Sequence, residues 1–591
     1  MEADSKLHIA DYVLFCIGLA VSLATGIYYA VAERKKSSTY GFHRGGGKLK
    51  ALPVALSMLV TFESSIFYLG YPAEVYIHGI IFWLVNFGTM IGLSSLFWIS
   101  IPLFYPLQVT SVFEYLQLRH DSQLIRQVAM VLNTIFMVLY AALVLFGAAL
   151  ALQSVMGLSV WIYIVVLSVI AMIYTSLGGI KAVIATDVVQ GIIMIVIILA
   201  VLIYGTVKIG GVTRVLDYNR PSGRLQLVDF DTSPFTRHTF WTLIIGAAIR
   251  SFGFSCRQMA IQRLNSTKSV SEARKVAAIS IPGFFLLESL VMLQGLVAFA
   301  YFTDKGCDPL ASGQISNPNQ IMSFAVMDMF TKAPGVTGLF LAAICSATLS
   351  TLSSLLSSVS ALISEDVLKV RWRNASDVQL TKASKLAVLV CGVVCTGFGV
   401  VISETKGPIT QISGSILGAM DGPMTALFFM SIFLKFTTRK GILVSILCGV
   451  LFAMWLSLGY NFSTGRKETP WLPLGPTDKC ENSSLAIHNV TYSVNITFKI
   501  AMEDLATGNT TESLSEITGL NYLYSISYMY FAAMVTFVSL AVGISISLMT
   551  KVERQLPIPR HLMLIINKQF FKCKPNLTDD SVSFERQKQH F

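Results

Sequence analysis

A run of hydroxyl side chains interrupts one long apolar stretch of this chain. Residues Ser346–Ser354 carry a hydroxyl at six of nine positions, within the apolar stretch 336–364. Sodium prefers hard oxygen ligands, which hydroxyls and freed backbone carbonyls supply without fixed charge. The same small side chains would also let two membrane helices approach closely. The run is therefore a candidate sodium site, with helix packing as the alternative.

Charged residues also lie inside otherwise apolar stretches, among them Glu63, Arg250, Arg257 and Asp421. A charge within a membrane span costs roughly 2.5–3.5 kcal/mol even on the lenient insertion scale, and it usually marks function or a partner of opposite charge. We expect Glu63 to pair with Arg250, because the two have opposite charges at similar depth. There are two alternatives to this pair. In the first, Arg250 reaches water and Arg257 ends its helix near the cytoplasm. In the second, either arginine attracts the carboxylate of a solute.

The elements that position these residues are predicted to be membrane helices. Of 591 residues, 54% are hydrophobic and 13% are charged, whereas soluble domains carry about 25% charged residues. Apolar runs of about 20 residues predict an all-α polytopic membrane protein with about 13 transmembrane helices. The predicted spans lie near 10–31, 51–72, 79–105, 127–152, 159–177, 184–209, 240–261, 277–302, 336–364, 385–403, 409–434, 439–460 and 522–549.

The charges in the connecting segments predict the orientation. Basic connections alternate with connections that are not basic, and cytoplasmic loops are the ones enriched in Lys and Arg. The N-terminus is therefore predicted to be extracellular, and the basic tail 551–591 cytoplasmic. The first span precedes its basic residues, unlike a cleavable signal peptide, so we expect it to be retained. Orientation accounts for the net charge of +11, and no nucleic-acid partner is predicted. The basic connections are 33–50, 119–126, 263–275, 366–385 and 435–440.

The loop 461–521 falls on the predicted outer side and supports this orientation. It contains five Asn-x-Ser/Thr sequons, which we expect to be glycosylated: Asn461, Asn482, Asn489, Asn495 and Asn509. Sequons at Asn265, Asn374 and Asn576 fall on the predicted cytoplasmic side and are expected to be unmodified.

Two of the nine cysteines, Cys307 and Cys480, lie in loops assigned to the outer side. An oxidising compartment permits them to pair. We expect a disulfide between them, with two free thiols as the alternative.

Two predicted spans are interrupted by polar residues, Gly or Pro: the second, at 59–72, and the seventh, at 245–258. Many secondary transporters place their substrate where the first helix of each of two inverted repeats unwinds. We therefore predict a first repeat at 51–209 and a second at 240–434. Residues 1–50 would hold the first helix and a cytoplasmic loop, and 435–550 two accessory helices.

A polar segment, Thr175-Ser-Leu-Gly-Gly-Ile-Lys-Ala-Val-Ile-Ala-Thr-Asp187-Val-Val-Gln190, separates two further apolar runs. An ordinary helical hairpin would explain its Gly pair and its charges. The string resembles the signature of the sodium/solute symporter family. Other marks resemble the branch of multivitamin, monocarboxylate and iodide transporters: Leu52-Pro-Val-Ala-Leu-Ser57, Gly70-Tyr-Pro-Ala-Glu74-Val-Tyr76, Thr110-Ser-Val-Phe-Glu-Tyr-Leu-Gln-Leu-Arg119, Arg237-His-Thr-Phe-Trp241, Gln262-Arg263 and Leu349-Ser-Thr351.

The resemblance implies a five-plus-five inverted-repeat, leucine-transporter-like core and two sites. Its sodium ligands fall on the carbonyls of Val60, Glu63 and Ala347 and on the hydroxyls of Ser350 and Thr351. Asp187 matches a family aspartate linked to sodium release toward the cytoplasm. The implied solute cavity falls on Phe67, Tyr140, Ser255, Gln258, Ser415 and Leu417, and the charges at Arg250 and Arg257 add to it.

This chain departs from that pattern at several cavity positions. Glu63 is an acid where relatives have a neutral residue, and Phe67 is larger than its counterparts. Arg257 replaces an asparagine, and Asp421 replaces a small residue. Because of these departures, the resemblance does not identify the solute.

The function implied is a plasma-membrane symporter that uses co-transported Na⁺ to import a small organic anion, either a vitamin such as biotin or pantothenate or a monocarboxylate. The alternatives are a sodium-coupled iodide transporter and a sodium-dependent sensor or uncoupled sodium pathway. The expected partners are the solute, sodium and the lipid bilayer, and the oligomeric state is open. We find no nucleotide loop, metal cluster or nucleophile–base arrangement, so no enzyme is predicted.

Overall fold

The computed structural model describes residues 7–33, 39–372, 374–404, 409–463, 469–480 and 519–550. Within these ranges the chain is helical and has no β-strand. The helices that concern the sites are α1 (Ile9–Glu33), α2 (Ala51–Phe62), α3 (Ser65–His78), α4 (Ile80–Leu107), α5 (Gln123–Met156), α6 (Val160–Ile209), α7 (Phe240–Ser255), α8 (Gln258–Leu264), α9 (Val270–Lys305), α10 (Val336–Arg371), α11 (Asp377–Ile402), α12 (Ile409–Phe433), α13 (Arg439–Phe462) and α14 (Tyr528–Met549).

The predicted count of 13 spans is not confirmed. Among the described residues, ten helices are long and apolar enough to cross a membrane, or eleven if the bent pair α2 and α3 forms one span. The predicted spans 159–177 and 184–209 are the two arms of α6, which continues across the signature segment. The predicted span 240–261 is interrupted, and its first helix, α7, has only 16 residues.

A glycine bends α6 within the signature segment. Gly179 has φ 60° and ψ −162°, inside an otherwise helical run. A Cβ atom at this position would lie 2.6 Å from the carbonyl oxygen of Phe42. Only glycine combines this left-handed φ with so close a backbone approach. The Gly pair therefore marks a kink between the two arms.

The polar interruption in the second predicted span is a helix break. α2 ends at Phe62, Glu63 adopts φ −91° and ψ 85°, and Ser64 is extended. α3 then leaves at 58° to α2. Because the last carbonyls of a helix lack intrahelical partners, this break frees backbone oxygens within the bundle.

The seventh predicted span breaks as well. α7 ends at Ser255, Cys256 has φ −99° and ψ 3°, and Arg257 is extended before α8 begins. The helix α7 packs closely on α12 at Gly253. A Cβ atom at this position would lie only 2.2 Å from the hydroxyl oxygen of Thr425. Both breaks occur within the polar stretches that the sequence singles out.

The hydroxyl-rich helix α10 is central to the bundle. Its apolar window is 94% buried, against 22% for those of α1 and α11. Since a span inside the bundle meets protein rather than lipid, its side chains can be polar where they have partners. The central position of α10 therefore permits its run of serines and threonines.

Candidate functional site

Two hydroxyls of α10 face the broken end of α2. The Thr351 hydroxyl donates to the carbonyl oxygen of Thr61 at 2.8 Å and to that of Ala347 at 3.0 Å. The Ser350 hydroxyl donates to Asp187 Oδ1 at 2.6 Å. Both side chains are fully buried. Because each hydroxyl hydrogen is committed to an acceptor, the oxygen lone pairs remain available to a cation. Thr351 of α10 therefore lies next to the end of α2 at Thr61.

The Asp187 carboxylate joins this cluster from α6. Its Oδ2 accepts from the Ser57 hydroxyl at 2.5 Å, the Thr61 hydroxyl at 3.2 Å and Arg263 Nη2 at 3.1 Å. With Ser350 on Oδ1, four donors satisfy this buried carboxylate. We call Asp187 and these four donors the hydroxyl cluster.

Sequence reasoning did not assign Arg263 a role, although it belongs to the quoted Gln262-Arg263 mark. Its guanidinium is fully buried, and it donates to Ser57 Oγ at 3.0 Å and to Thr61 Oγ1 at 2.5 Å. It also donates to Ser354. Because a buried acid such as Asp187 requires a cationic partner, the sequence could have indicated that a basic residue such as Arg263 pairs with it.

A cavity of about 160 Å³ lies beside the break between α2 and α3. Residues from α4, α5, α7, α9, α12 and α14 complete its wall. Four of the predicted solute-cavity residues line it: Phe67, Tyr140, Arg250 and Leu417. We call this space the central cavity.

The other four predicted residues do not line the central cavity. Ser255, Arg257 and Gln258 lie at the break between α7 and α8, where the backbone turns them toward neighbouring helices. Gln258, for example, accepts from Val112 N–H at 2.9 Å and donates to the Thr110 carbonyl at 2.7 Å. Ser415 Oγ accepts instead from Asn461 Nδ2 at 2.9 Å. These four side chains support the helices around the cavity.

Arg257 and Asp421 form an ion pair with both side chains about 1% exposed. The Arg257 guanidinium carbon also lies 3.4 Å from the centroid of the Phe136 ring. Each residue therefore neutralises the charge of the other inside the bundle. Asp421 and Phe136 line the central cavity, so the pair supports its wall.

Glu63 does not pair with Arg250, which corrects the expectation from sequence. Among the described residues the two form no ion pair. Glu63 is 3% exposed, and Glu288, an acid on α9, is 6% exposed. Glu63, Glu288 and Arg250 all line the central cavity. Glu288 was missed, although an acid in the middle of the apolar span 277–302 was a readable signal.

A polar network adjoins the central cavity at Thr410. Arg237 donates from Nε and Nη2 to the two oxygens of Glu74, at 2.6 and 3.1 Å. Thr410, which lines the cavity, donates to Glu74 Oε2 at 2.7 Å. His238 Nε2 lies 3.1 Å from Glu74 Oε1 and packs on Phe82. The network ties α3 to α12 and to the segment before α7.

Beyond this network lies a segment that we call the strap, residues 469–480. The expected disulfide is confirmed: Cys307 and Cys480 are bonded, with their Cα atoms 4.9 Å apart. The strap amide of Leu472 donates to the Ile77 carbonyl at 2.9 Å, and that of Gly475 to Asp308 Oδ2 at 2.7 Å. The strap thus joins the ends of α3 and α9.

Arg224, in the connection between α6 and α7, anchors the strap. It donates to the Tyr76 carbonyl at 2.7 Å and to the Pro473 carbonyl at 2.9 Å. Burial lowers the pKa of Arg224 to about 10. The guanidinium therefore stays charged at neutral pH and keeps both hydrogen bonds.

Most of the predicted modification sites lie outside the described residues: the sequons at Asn482, Asn489, Asn495 and Asn509. The tail 551–591, with Asn576, also lies outside them. Asn461 lies in the last turn of α13, and its Nδ2 donates to Ser415 Oγ and, at 2.8 Å, to the Ser457 carbonyl. Asn265, expected to be unmodified, is buried and donates to the Val109 carbonyl at 3.0 Å.

Comparisons with known proteins identify the family. The model of the sodium:solute symporter family matches residues 42–449. The chain is 37% identical over 488 residues to sodium-coupled monocarboxylate transporter 2 of Bos taurus, a match that covers 82% of this chain and 77% of the relative. It is 34% identical to the sodium-dependent multivitamin transporter of Oryctolagus cuniculus, with 88% and 79% covered.

A solved structure shares the fold. The substrate-bound, outward-open structure of a Na⁺-coupled sialic acid symporter matches with a TM-score of 0.70 and 21% identity, over 92% of this chain and 98% of that one. This match confirms the predicted all-helical membrane fold. The family model and the relatives show that the chain is a transporter rather than an enzyme, and that sodium is its co-transported ion. This chain belongs to the sodium:solute symporter family.

Proposed function

We propose that this sodium-coupled symporter imports a small organic solute that carries a carboxylate, and that Arg250 binds this carboxylate. The main support is the charge of the central cavity. Among its described lining residues Arg250 is the only cation, and no acid forms an ion pair with it. The neighbouring Arg257 is neutralised by Asp421. The names of the bovine and rabbit relatives, monocarboxylate and multivitamin transporter, agree with a carboxylate-bearing solute.

The sodium ion is proposed to bind between α2 and α10. Its ligands would be the carbonyls of Val60, Glu63 and Ala347 and the hydroxyls of Ser350 and Thr351. The contact between Thr351 and the Thr61 carbonyl supports this assignment, because it brings α10 to the freed end of α2. Asp187 would act on the release path, since it shares the Ser350 hydroxyl with the ion.

The two sites would be coupled through the break at Glu63. Its carbonyl is a proposed sodium ligand, and its side chain lines the central cavity. A ligand shifts a conformational equilibrium only when it binds one state better than the other. Sodium that holds this backbone in its broken form would therefore prepare the cavity for the solute.

We infer the plasma membrane as the location, with the N-terminus outside and the tail inside. The confirmed disulfide supports this orientation, because disulfides persist in oxidising compartments, and it would put the strap outside. The helix breaks near the start of 51–209 and of 240–434 support two inverted repeats, with α13 and α14 as accessory helices. Glycosylation of the loop 461–521 follows from the same orientation.

Uptake by cells that express the full chain tests this function. Labelled biotin, pantothenate, lactate, short-chain fatty acids and iodide would each be offered with and without sodium. We expect at least one carboxylate to accumulate in a sodium-dependent way, and Arg250→Gln to abolish that uptake. Iodide uptake that Arg250→Gln leaves unchanged would contradict the role of Arg250. Sodium current without uptake of any solute would indicate an uncoupled sodium pathway instead.

A further inference from the structure

We propose that the transported solute is a zwitterion, with its carboxylate at Arg250 and an organic ammonium group between the carboxyl groups of Glu63 and Glu288. This inference rests on the proposed function and adds a second charge to the solute. It assigns Glu288, which lies outside the residues predicted from sequence, as a determinant of specificity.

Two buried acids share the wall of the central cavity, and one of them has an oxygen without a donor. Glu63 and Glu288 both line the cavity and are only 3% and 6% exposed. Within the part of the chain that the structure describes, no donor reaches Glu288 Oε2. Ionised carboxylates only accept hydrogen bonds, whereas an ammonium group only donates them. A buried acid without a donor is costly, and an ammonium group between the two would satisfy both.

The walls around this pair suit an organic cation. Phe62 and Phe284 line the cavity together with the two glutamates, and their ring centroids are 5.8 Å apart. Phe254, also in the wall, lies 4.7 Å from Phe62. Aromatic faces attract ammonium groups and also pack against the carbon atoms that these groups carry. Hard metal ions instead select carboxylate, carbonyl and water oxygens.

The charges of the cavity favour a solute with no net charge. Glu63 and Glu288 are two acids and Arg250 is one base, while Arg257 and Asp421 cancel each other. One sodium ion near the α2–α3 break would balance the remaining negative charge. A zwitterion would preserve that balance, whereas a monocarboxylate would add an uncompensated charge to a buried site.

Isosteric pairs of compounds test the inference directly. Glycine betaine and 3,3-dimethylbutanoate have the same shape and differ only in the exchange of a cationic nitrogen for carbon. The compounds 4-aminobutyrate and pentanoate form a second such pair, and 4-aminobutyrate, unlike glycine betaine, has N–H groups that can donate to the two carboxylates. Binding would be measured by the thermal shift of the purified full chain in sodium, and transport by labelled uptake in cells.

We expect at least one zwitterion to bind about tenfold or more tightly than its carbon analogue. Glu288→Gln should remove this preference but keep binding of the plain carboxylate, and Arg250→Gln should weaken binding of both members of a pair. Asp217→Asn, at an exposed acid on the helix Val212–Asn219, is the charge-matched control and should change neither. Surface expression and a sodium-induced thermal shift establish that each variant is folded.

Three outcomes would overturn the inference. In the first, the carbon analogues bind as well as the zwitterions. In the second, Glu288→Gln leaves the preference intact. In the third, the carbon analogues are taken up equally well and their uptake rises in acid, because a proton then fills the carboxyl pair. In each of these cases sodium-dependent uptake of a carboxylate would leave the proposed function standing. Loss of sodium-dependent uptake across the whole panel would instead reject the proposed function itself.

Discussion

Two buried acids in this bundle, Asp187 and Glu288, have opposite surroundings. Asp187 receives hydrogen bonds from three hydroxyls and one guanidinium. Glu288 shares the central cavity with a second acid, Glu63, and its Oε2 receives no hydrogen bond from the described residues. Because a buried charge is stable only with partners, the hydroxyl cluster is complete within the protein. The central cavity is completed by what it binds. Four predictions test this difference, from the largest expected effect to the smallest.

Arg263→Gln, in the hydroxyl cluster, should lower the stability of the protein most. It leaves Asp187 buried without a cation, and removing one partner of a buried ion pair costs about 3–5 kcal/mol. We expect much lower thermal stability and surface expression, measured by fluorescence-detected size-exclusion chromatography after heating. Arg250→Gln, in the incomplete site, removes a cation that forms no ion pair and should lower stability less than Arg263→Gln does. Equal stability of the two variants would remove the distinction between the sites.

The wall pair of the central cavity should show strong coupling. Arg257→Gln and Asp421→Asn each leave one charge buried, at a cost of about 3 kcal/mol. The double variant leaves none, so we expect it to be more stable than either single variant, in a thermal double-mutant cycle. Additive losses would mean that the two side chains do not depend on each other.

Ser350→Ala should change sodium binding more than folding. It removes one proposed sodium ligand and one donor to Asp187, and a hydrogen bond to a charged group contributes about 1.5–3 kcal/mol. We expect the sodium concentration for half-maximal uptake to rise by about tenfold or more. Thr348→Ala is the matched control, because the Thr348 hydroxyl donates within its own helix to the Ile344 carbonyl at 3.0 Å. An equal rise in both variants would locate the sodium site elsewhere.

Thr410→Val should have the smallest effect. It removes one of the donors to Glu74, while Arg237 still donates to both oxygens of that carboxylate. We expect a loss of about 1 kcal/mol in stability, together with a faster exchange between states that open the cavity on this side. The accessibility of a cysteine introduced at Leu417 to a membrane-impermeant thiol reagent would report this exchange. Unchanged labelling would show that Thr410 does not hold the network closed.

Much of the fold could be predicted from the sequence, because its signals are local. Apolar run lengths predicted the helices, and polar stretches containing Gly or Pro predicted the breaks near Glu63 and Cys256. The number of spans could not be read from apolar runs, because the kink at Gly179 joins two runs in one bent helix.

The candidate site was less predictable, because it depends on where side chains point after a break. Ser255, Arg257 and Gln258 lie on a cavity-forming element, yet the turn at Cys256 directs them into neighbouring helices. The partners of the buried charged side chains were also not predictable from the sequence. Opposite charges suggested Glu63 with Arg250, but the partner of an acid buried in a bundle depends on all the helices around it, and Glu288 belongs to one that the sequence did not single out.

The strap has a mechanical consequence for transport. Its hydrogen bond to Ile77 and its disulfide to Cys307 join the ends of α3 and α9. The amide of Arg237 also donates to the strap hydroxyl of Thr469 at 3.1 Å. Covalent and backbone bonds of this kind do not break in each transport cycle. These elements should therefore travel as one rigid body, whereas α12 is joined to them by side-chain hydrogen bonds, from Thr410 to Glu74 and from Arg237 to Gln411, which a transport cycle can break.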